Sequence, residues 1–208
     1  MSWLINLMKD GMTFFYQYTG NYGIAIIVLT LIIKLVTLPL TFSQTKQMKK
    51  MQDLQPKIKE IQAKYKKDPE RANKETMALW KENKVNPAGG CLPLLLQFPF
   101  FIAFFNVINN YAYAGSLSFL WIPDITSPDR LFIMPILAAA TTYLQMKATT
   151  SSADATQKNM ALMMPAMIGI MSLRFAAGLT IYWVANNVFT LAQQLLTPNP
   201  DRKGAAEK

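Results

Sequence analysis

The stretch "IAIIVLTLIIKLVTLPLTF", from Ile24 to Phe42, constrains this chain more than any other part of it. About 20 apolar residues make a helix long enough to cross the ~30 Å of bilayer hydrocarbon. Lipid offers backbone groups no water, so a spanning segment of this kind must be helical. One lysine, Lys34, sits near the middle of the run. A charge at that depth costs at least ~2.5 kcal/mol even on the most lenient insertion scale, so its presence asks for a reason.

The rest of the sequence follows the same logic. Hydrophobic residues make up 51% of the 208 positions, and they gather in blocks separated by strongly charged segments. That arrangement predicts an all-α, polytopic membrane protein with five transmembrane helices. The predicted spans are 23–42, 92–113, 131–145, 160–173 and 178–196. The third and fourth are short: 14 or 15 helical residues cover only ~21–23 Å. They must borrow flanking residues, or the bilayer must thin around them.

Lysine and arginine set the orientation. Of the 21 basic residues, twelve fall in 43–90, two in 146–159 and three in 197–208. The other side has only Lys9, Arg130 and Arg174. The expectation is an N-terminus outside, with the 43–90 segment, the 146–159 loop and the C-terminus in the cytoplasm. The opening "MSWLINLMKDG" has no basic region followed by an apolar core and a small-residue cleavage site, so no removable signal peptide is expected. Within 1–22, Trp3, Leu4, Leu7, Met8, Phe14 and Phe15 recur at near-helical spacing. This lead-in reads either as an amphipathic helix on the outer surface or as a frayed approach to the first span.

Segment 43–90 is too polar to span and too regular to be unstructured. Met48, Met51, Leu54, Ile58, Ile61 and Tyr65 recur every three or four residues. Asp68 then offers an N-cap with Pro69 at the first helical position, and Ala72, Thr76, Leu79 and Trp80 resume the helical period. The pattern predicts an antiparallel cytoplasmic helical hairpin, with Pro56 either kinking its first helix or marking that helix's start. The tail 197–208 is short and polar, and reads as disordered.

Enzymatic readings find little support. The chain has no histidine and one cysteine, Cys91, so a Cys/His zinc site lacks ligands and no metal or cofactor is expected. No Asp or Glu lies within any span, and the only spanning serine is Ser172. "AGG" at 88–90 lacks the lysine and following helix start of a phosphate loop.

What accompanies Lys34 is more informative. Thr30, Lys34, Thr37 and Thr41 are spaced four, three and four, which places them within about 60° of one another on a helix. The outer half of the span, Ile24–Leu29, stays apolar. In the fifth span Tyr182, Asn186 and Gln193 share one line, and Trp183, Asn187, Thr190 and Gln194 an adjacent one. Thr141, Thr142 and Gln145 lie near the inner end of the third span, and Gln97 near that of the second. Each threonine alone could bond its own backbone, and each amide could merely join helices. Lys34 could also snorkel, lying ~12 Å from the inner end of its span. Together these residues point instead to a hydrated cavity open to the cytoplasm and closed outside. With no spanning carboxylate to pair with, Lys34 would need water or an acidic group from another molecule.

Several stretches, "LTLIIKLVTLPLT", "LQPKIKEIQ", "NPAGGCLPLLLQFPFFIAF" and "AGLTIYWVANNVFTLAQQ", resemble the YidC/Oxa/Alb membrane protein insertases. The resemblance runs from about residue 20 to 196 with its blocks in matching order, and it looks most like the five-span, Gram-positive-type core. It implies an insertase and folding helper of the bacterial cytoplasmic membrane, working alone or with the Sec translocon. It also implies a positively charged, hydrated groove open to cytoplasm and lipid. The groove's first-span position, usually arginine, matches Lys34; its threonine matches Thr30 and its third-span glutamine Gln145. Its substrate-contacting aromatics match Tyr182 and Trp183. The candidate substrate-binding set is therefore Lys34, Thr30, Thr37, Gln97, Gln145, Tyr182, Trp183 and Asn186. Implied partners are nascent membrane proteins with acidic external tails, the Sec translocon, the ribosome and membrane lipids, with no specific nucleic acid. A solute transporter or channel using the same polar groove is the rival from another class; it predicts internal repeats, and none is evident.

Overall fold

The computed structural model describes residues 2–85, 92–149 and 155–196. Among them the fold is all-helical: α1 (Ser2–Thr19), α2 (Tyr22–Asp53), α3 (Gln55–Lys64), α4 (Pro69–Glu82), α5 (Leu92–Asn110), α6 (Ile133–Thr149), α7 (Ala155–Ser172) and α8 (Ala177–Leu196). Extended pairing is limited to one isolated bridge between Phe119 and Ile122. Over Tyr22–Gln44, α2 is long and apolar enough to cross a membrane, and Asn159–Ser172 of α7 is a shorter apolar segment. The expectations for 86–91, for 150–154 and for the tail 197–208 lie outside the described residues. The chain divides into two units, residues 1–35 with 103–208 and residues 36–102.

In the second unit, α3 begins where α2 breaks at Leu54, with Pro56 in its first turn, a position that needs no backbone N–H. α4 is capped as its sequence dictates: the Asp68 carboxylate accepts from Arg71 N–H at 3.0 Å and Pro69 opens the helix. It closes in a Schellman motif. Lys84 takes the left-handed conformation (φ 52°), Val85 N–H reaches Trp80 O at 2.9 Å and Lys84 N–H reaches Lys81 O at 3.2 Å. Val85, Leu79 and Trp80 from the end of α4 pack on Met51, Leu54 and Ile58. The end of one helix meeting the start of the other makes the pair antiparallel.

The first unit is organised around the 111–132 connection. α1 stops at Gly20, which supplies a positive φ of 63°, and Asn21 caps α2 by accepting from Ile24 N–H at 3.2 Å. Tyr22 stacks on Tyr16 (centroids 3.9 Å apart) and meets Tyr113 edge-on, while its hydroxyl accepts from Ala114 N–H at 3.0 Å. This aromatic knot ties α1, the start of α2 and the end of α5 together. Two aspartates shape the rest of the connection. Asp124 accepts from Thr126 N–H (2.8 Å) and from the hydroxyls of Thr126 and Ser127. Asp129, buried, accepts from Leu131 N–H (3.0 Å), Met134 N–H (2.8 Å) and the Trp121 indole (3.3 Å), so it supplies an acceptor to the otherwise orphaned first turn of α6.

The same connection caps α8, because Ser127 O accepts from Ala177 N–H at 2.8 Å and Ile125 O from Gly178 N–H at 2.7 Å. Gly178 suits that junction: a Cβ there would lie 2.9 Å from Ile108 Cδ1 and 3.2 Å from Ile125 O. Two bulky residues of the connection, Leu120 (φ 51°) and Phe132 (φ 58°), hold left-handed backbone, at a cost of order 1–3 kcal/mol each. The core of this unit gathers Met8, Met12, Ile26, Phe104, Ile108, Ile122, Ile125 and Tyr182. α6 packs against both α7 and α8, and a Cβ on Gly169 of α7 would come within 3.1 Å of Ala139 of α6, the close approach that small residues permit.

Candidate functional site

Helix α8 carries a polar face, and two neighbouring helices use it. On one side stands Lys34 of α2. Its ammonium donates to Thr190 Oγ1 at 2.8 Å, and the Thr190 hydroxyl spends its own hydrogen on Asn186 O, one turn back, at 2.7 Å. The chain itself thus supplies Lys34 with a hydroxyl acceptor from α8, a neutral group that brings no countercharge. Thr30, one turn before Lys34, is buried and donates to Ile26 O at 2.6 Å, satisfying itself within its own helix.

On the other side α8 meets α6 through Thr142. This hydroxyl donates to Ala138 O at 2.6 Å and accepts from Trp183 Nε1 at 3.0 Å and from Asn187 Nδ2 at 2.9 Å. A hydroxyl has one hydrogen and two lone pairs, so Thr142 is fully used. The second Asn187 hydrogen reaches Thr141 Oγ1 at 3.2 Å. Helical spacing had marked these residues as polar lines. It could not show which lines face each other, so Thr190 and Thr142 were left out of the candidate set although they are the nodes.

The remaining predicted residues divide as follows. Tyr182 is 2% exposed and stacks on Phe104 of α5, with centroids 4.1 Å apart. Its ring is thus part of the packed wall. Asn186 is buried beside it, and Trp183 is half-buried with its N–H committed to Thr142. Gln145 lies half-buried on α6, one turn past Thr141. Thr37 and Gln97 fall in the second unit, where Thr37 O accepts from the Thr41 hydroxyl at 2.9 Å. The described residues hold no group of three or more Cys, Asp or Glu side chains arranged for a metal.

The model of the 60Kd inner membrane protein family matches residues 14–203. The chain belongs to that family. A membrane protein insertase YidC of Geobacter sp. (strain M21) is 46% identical over 186 residues, covering 88% of this chain and 34% of that protein. One from Fusobacterium nucleatum is 40% identical over 198 residues, covering 93% of this chain and 96% of the relative. The chain thus spans about a third of the length of the Geobacter relative and nearly all of the Fusobacterium one. Among solved structures, an active YidC insertase with its first transmembrane domain resolved aligns at a TM-score of 0.77 with 30% identity, over 95% of this chain and 46% of that one. Membership of the 60Kd family places the chain among bacterial inner-membrane proteins.

Proposed function

We propose that this chain is a membrane protein insertase whose working site is the polar face of α8 together with Lys34. The observation that carries the reading is a positive charge near the middle of the apolar stretch Tyr22–Gln44, donating to a neutral hydroxyl. Family membership and the insertase relatives supply the reaction class. In this reading five helices span: the apolar part of α2, then α5, α6, α7 and α8. The α3–α4 pair lies in the cytoplasm, the N-terminus outside and the C-terminus inside, a reading supported by the distribution of basic residues.

The mechanism is energetic. A substrate with a short acidic external tail is drawn toward Lys34, its apolar segment passes along α6 and α8 into lipid, and a bilayer thinned around short spans shortens the polar tail's path. Thr30, Gln145, Tyr182, Trp183 and Asn186 line or brace that groove, with Tyr182 as wall. The Sec translocon and the ribosome are its proposed helpers on the cytoplasmic side.

The test is insertion into liposomes reconstituted with the purified chain. Lys34→Glu should abolish insertion of acidic-tailed single-span proteins, while Lys34→Arg, which keeps the charge, should sustain it. Undiminished insertion by Lys34→Glu would sink the electrostatic step. Flux of small solutes in liposomes carrying no substrate protein would favour a channel instead.

A further inference from the structure

The two left-handed residues of the 111–132 connection that are not glycine share a peculiarity: both are large, apolar and turned outward. Leu120 is 74% exposed and Phe132 54%. The geometry explains how they are held. Phe119 and Ile122 exchange both backbone hydrogen bonds at 2.8 Å, closing a two-residue turn on Leu120 and Trp121. Trp121 is drawn back to Asp129 through its indole N–H, which leaves Leu120 at the tip. The same Asp129 accepts from Leu131 and Met134, and its carbonyl accepts from Phe132 N–H at 3.3 Å, fixing the second turn. One buried carboxylate therefore anchors both strained turns. Strained backbone persists only where the surroundings enforce it and is concentrated at sites that use it.

We propose that these two turns form an apolar wedge seated in the outer leaflet of the membrane. The occupant is lipid for three reasons. Leu131 and Phe132 run without a polar break into the exposed face of α6 at Ile133 and Ile136, a surface that meets lipid if α6 spans. Arg130, exposed, directly precedes the apolar pair, as a cation does when it reaches lipid phosphates while its neighbours enter the acyl region. And this patch, Leu120 with Leu131, Phe132, Ile133 and Ile136, is five side chains, far fewer than the roughly 20–30 residues a side of a specific protein interface, which argues against a second copy. The wedge would fix the depth of α6 and the tilt of the outer end of the bundle. It rests on the reading of α6 as a span, so the experiment separates the two.

Single cysteines at Leu120, Phe132, Ile136 and, as the polar reference, Ser116 are introduced into a Cys91→Ser background. Each is labelled with an environment-sensitive fluorophore, and the full chain is reconstituted in liposomes. Probes at Leu120 and Phe132 should emit at shorter wavelength than the Ser116 probe. They should be quenched several-fold more by nitroxides on lipid chains, and resist aqueous iodide. Lipid quenching at Ile136 with iodide-accessible probes at Leu120 and Phe132 would overturn the wedge and leave the span standing. No lipid quenching at any of the three would overturn both. Protection at Leu120 and Phe132 that vanishes on dilution into excess lipid would assign the surface to a second copy and also overturn the wedge.

Discussion

Thr142→Val tests whether the α6–α8 seam is the polar staple the geometry describes. Valine keeps the shape of threonine and removes one oxygen. That oxygen accepts from Trp183 at 3.0 Å, in a half-buried position, and from Asn187 at 2.9 Å, in a buried one. Interhelical hydrogen bonds in membrane proteins are worth about 0.6 kcal/mol on average and up to about 1.7. The Trp183 indole has a single N–H, and the substitution removes the Thr142 oxygen it donates to. Asn187 keeps Thr141 at 3.2 Å and loses less. The expected loss is therefore about 1–2.5 kcal/mol in an unfolding equilibrium measured in bicelles, with Thr142→Ser close to the parent. The decisive measurement is the double-mutant cycle with Trp183→Phe, which should return a coupling of about 0.5–1.5 kcal/mol. Additive losses, or a Thr142→Val variant as stable as the parent, would show that the seam is held by packing and would refute the staple.

Asp129 makes the loop acid-sensitive in a defined direction. Burial disfavours its charge, but the N–H groups of Met134 and Leu131 and the Trp121 indole outweigh that and hold its carboxyl below the usual range. A depressed folded pKa contributes stability that is fully present above the ordinary carboxylate value of ~3.9 and is lost as pH falls through the depressed one. Hydrogen-exchange protection of Leu131 and Met134 should thus be flat from pH 8 to 5 and drop only below about 4. Asp129→Asn should lower protection of these amides roughly tenfold or more at neutral pH and remove the acid step; superimposable profiles for the two proteins would refute this account. Gly178→Ala places a methyl 2.9 Å from Ile108 Cδ1 and 3.2 Å from the Ile125 carbonyl. Overpacking there should cost about 1–3 kcal/mol in the same unfolding equilibrium, and an unchanged midpoint would mean that the junction has slack.

How far the sequence could be read depended on whether a signal was local. The capping of α4 by Asp68 and Pro69 and the antiparallel pairing of α3 with α4 follow from patterns inside single helices, and they were legible. So was the stripe on α8, because Tyr182, Asn186, Trp183, Asn187 and Thr190 repeat at helical spacing. The pairings were not legible. Nothing in the sequence places Thr190 opposite Lys34, separated by 156 positions, or makes Thr142 the node that receives both Trp183 and Asn187. The 111–132 connection was harder still. Its order comes from two aspartates that each collect several donors, and from left-handed backbone at Leu120 and Phe132, where no glycine announces it.

The acceptor chosen for Lys34 bears directly on the proposed mechanism. A carboxylate on α8 would have stabilised the lysine more, since charge-assisted pairs are roughly twice as strong as neutral ones, but it would also have cancelled the field. A threonine hydroxyl orients the ammonium and leaves its charge uncompensated by that contact. At an effective dielectric of 20, a carboxylate arriving 4 Å away then gains about 4 kcal/mol of Coulomb attraction, whereas a hydroxyl partner offers only a dipole. In the proposed mechanism this attraction, less the cost of desolvating the carboxylate, is what favours exchange of Thr190 for a substrate carboxylate. On the proposed mechanism the charge itself does the work, so Lys34→Glu, which reverses it, should be far more damaging than Lys34→Arg, which keeps it.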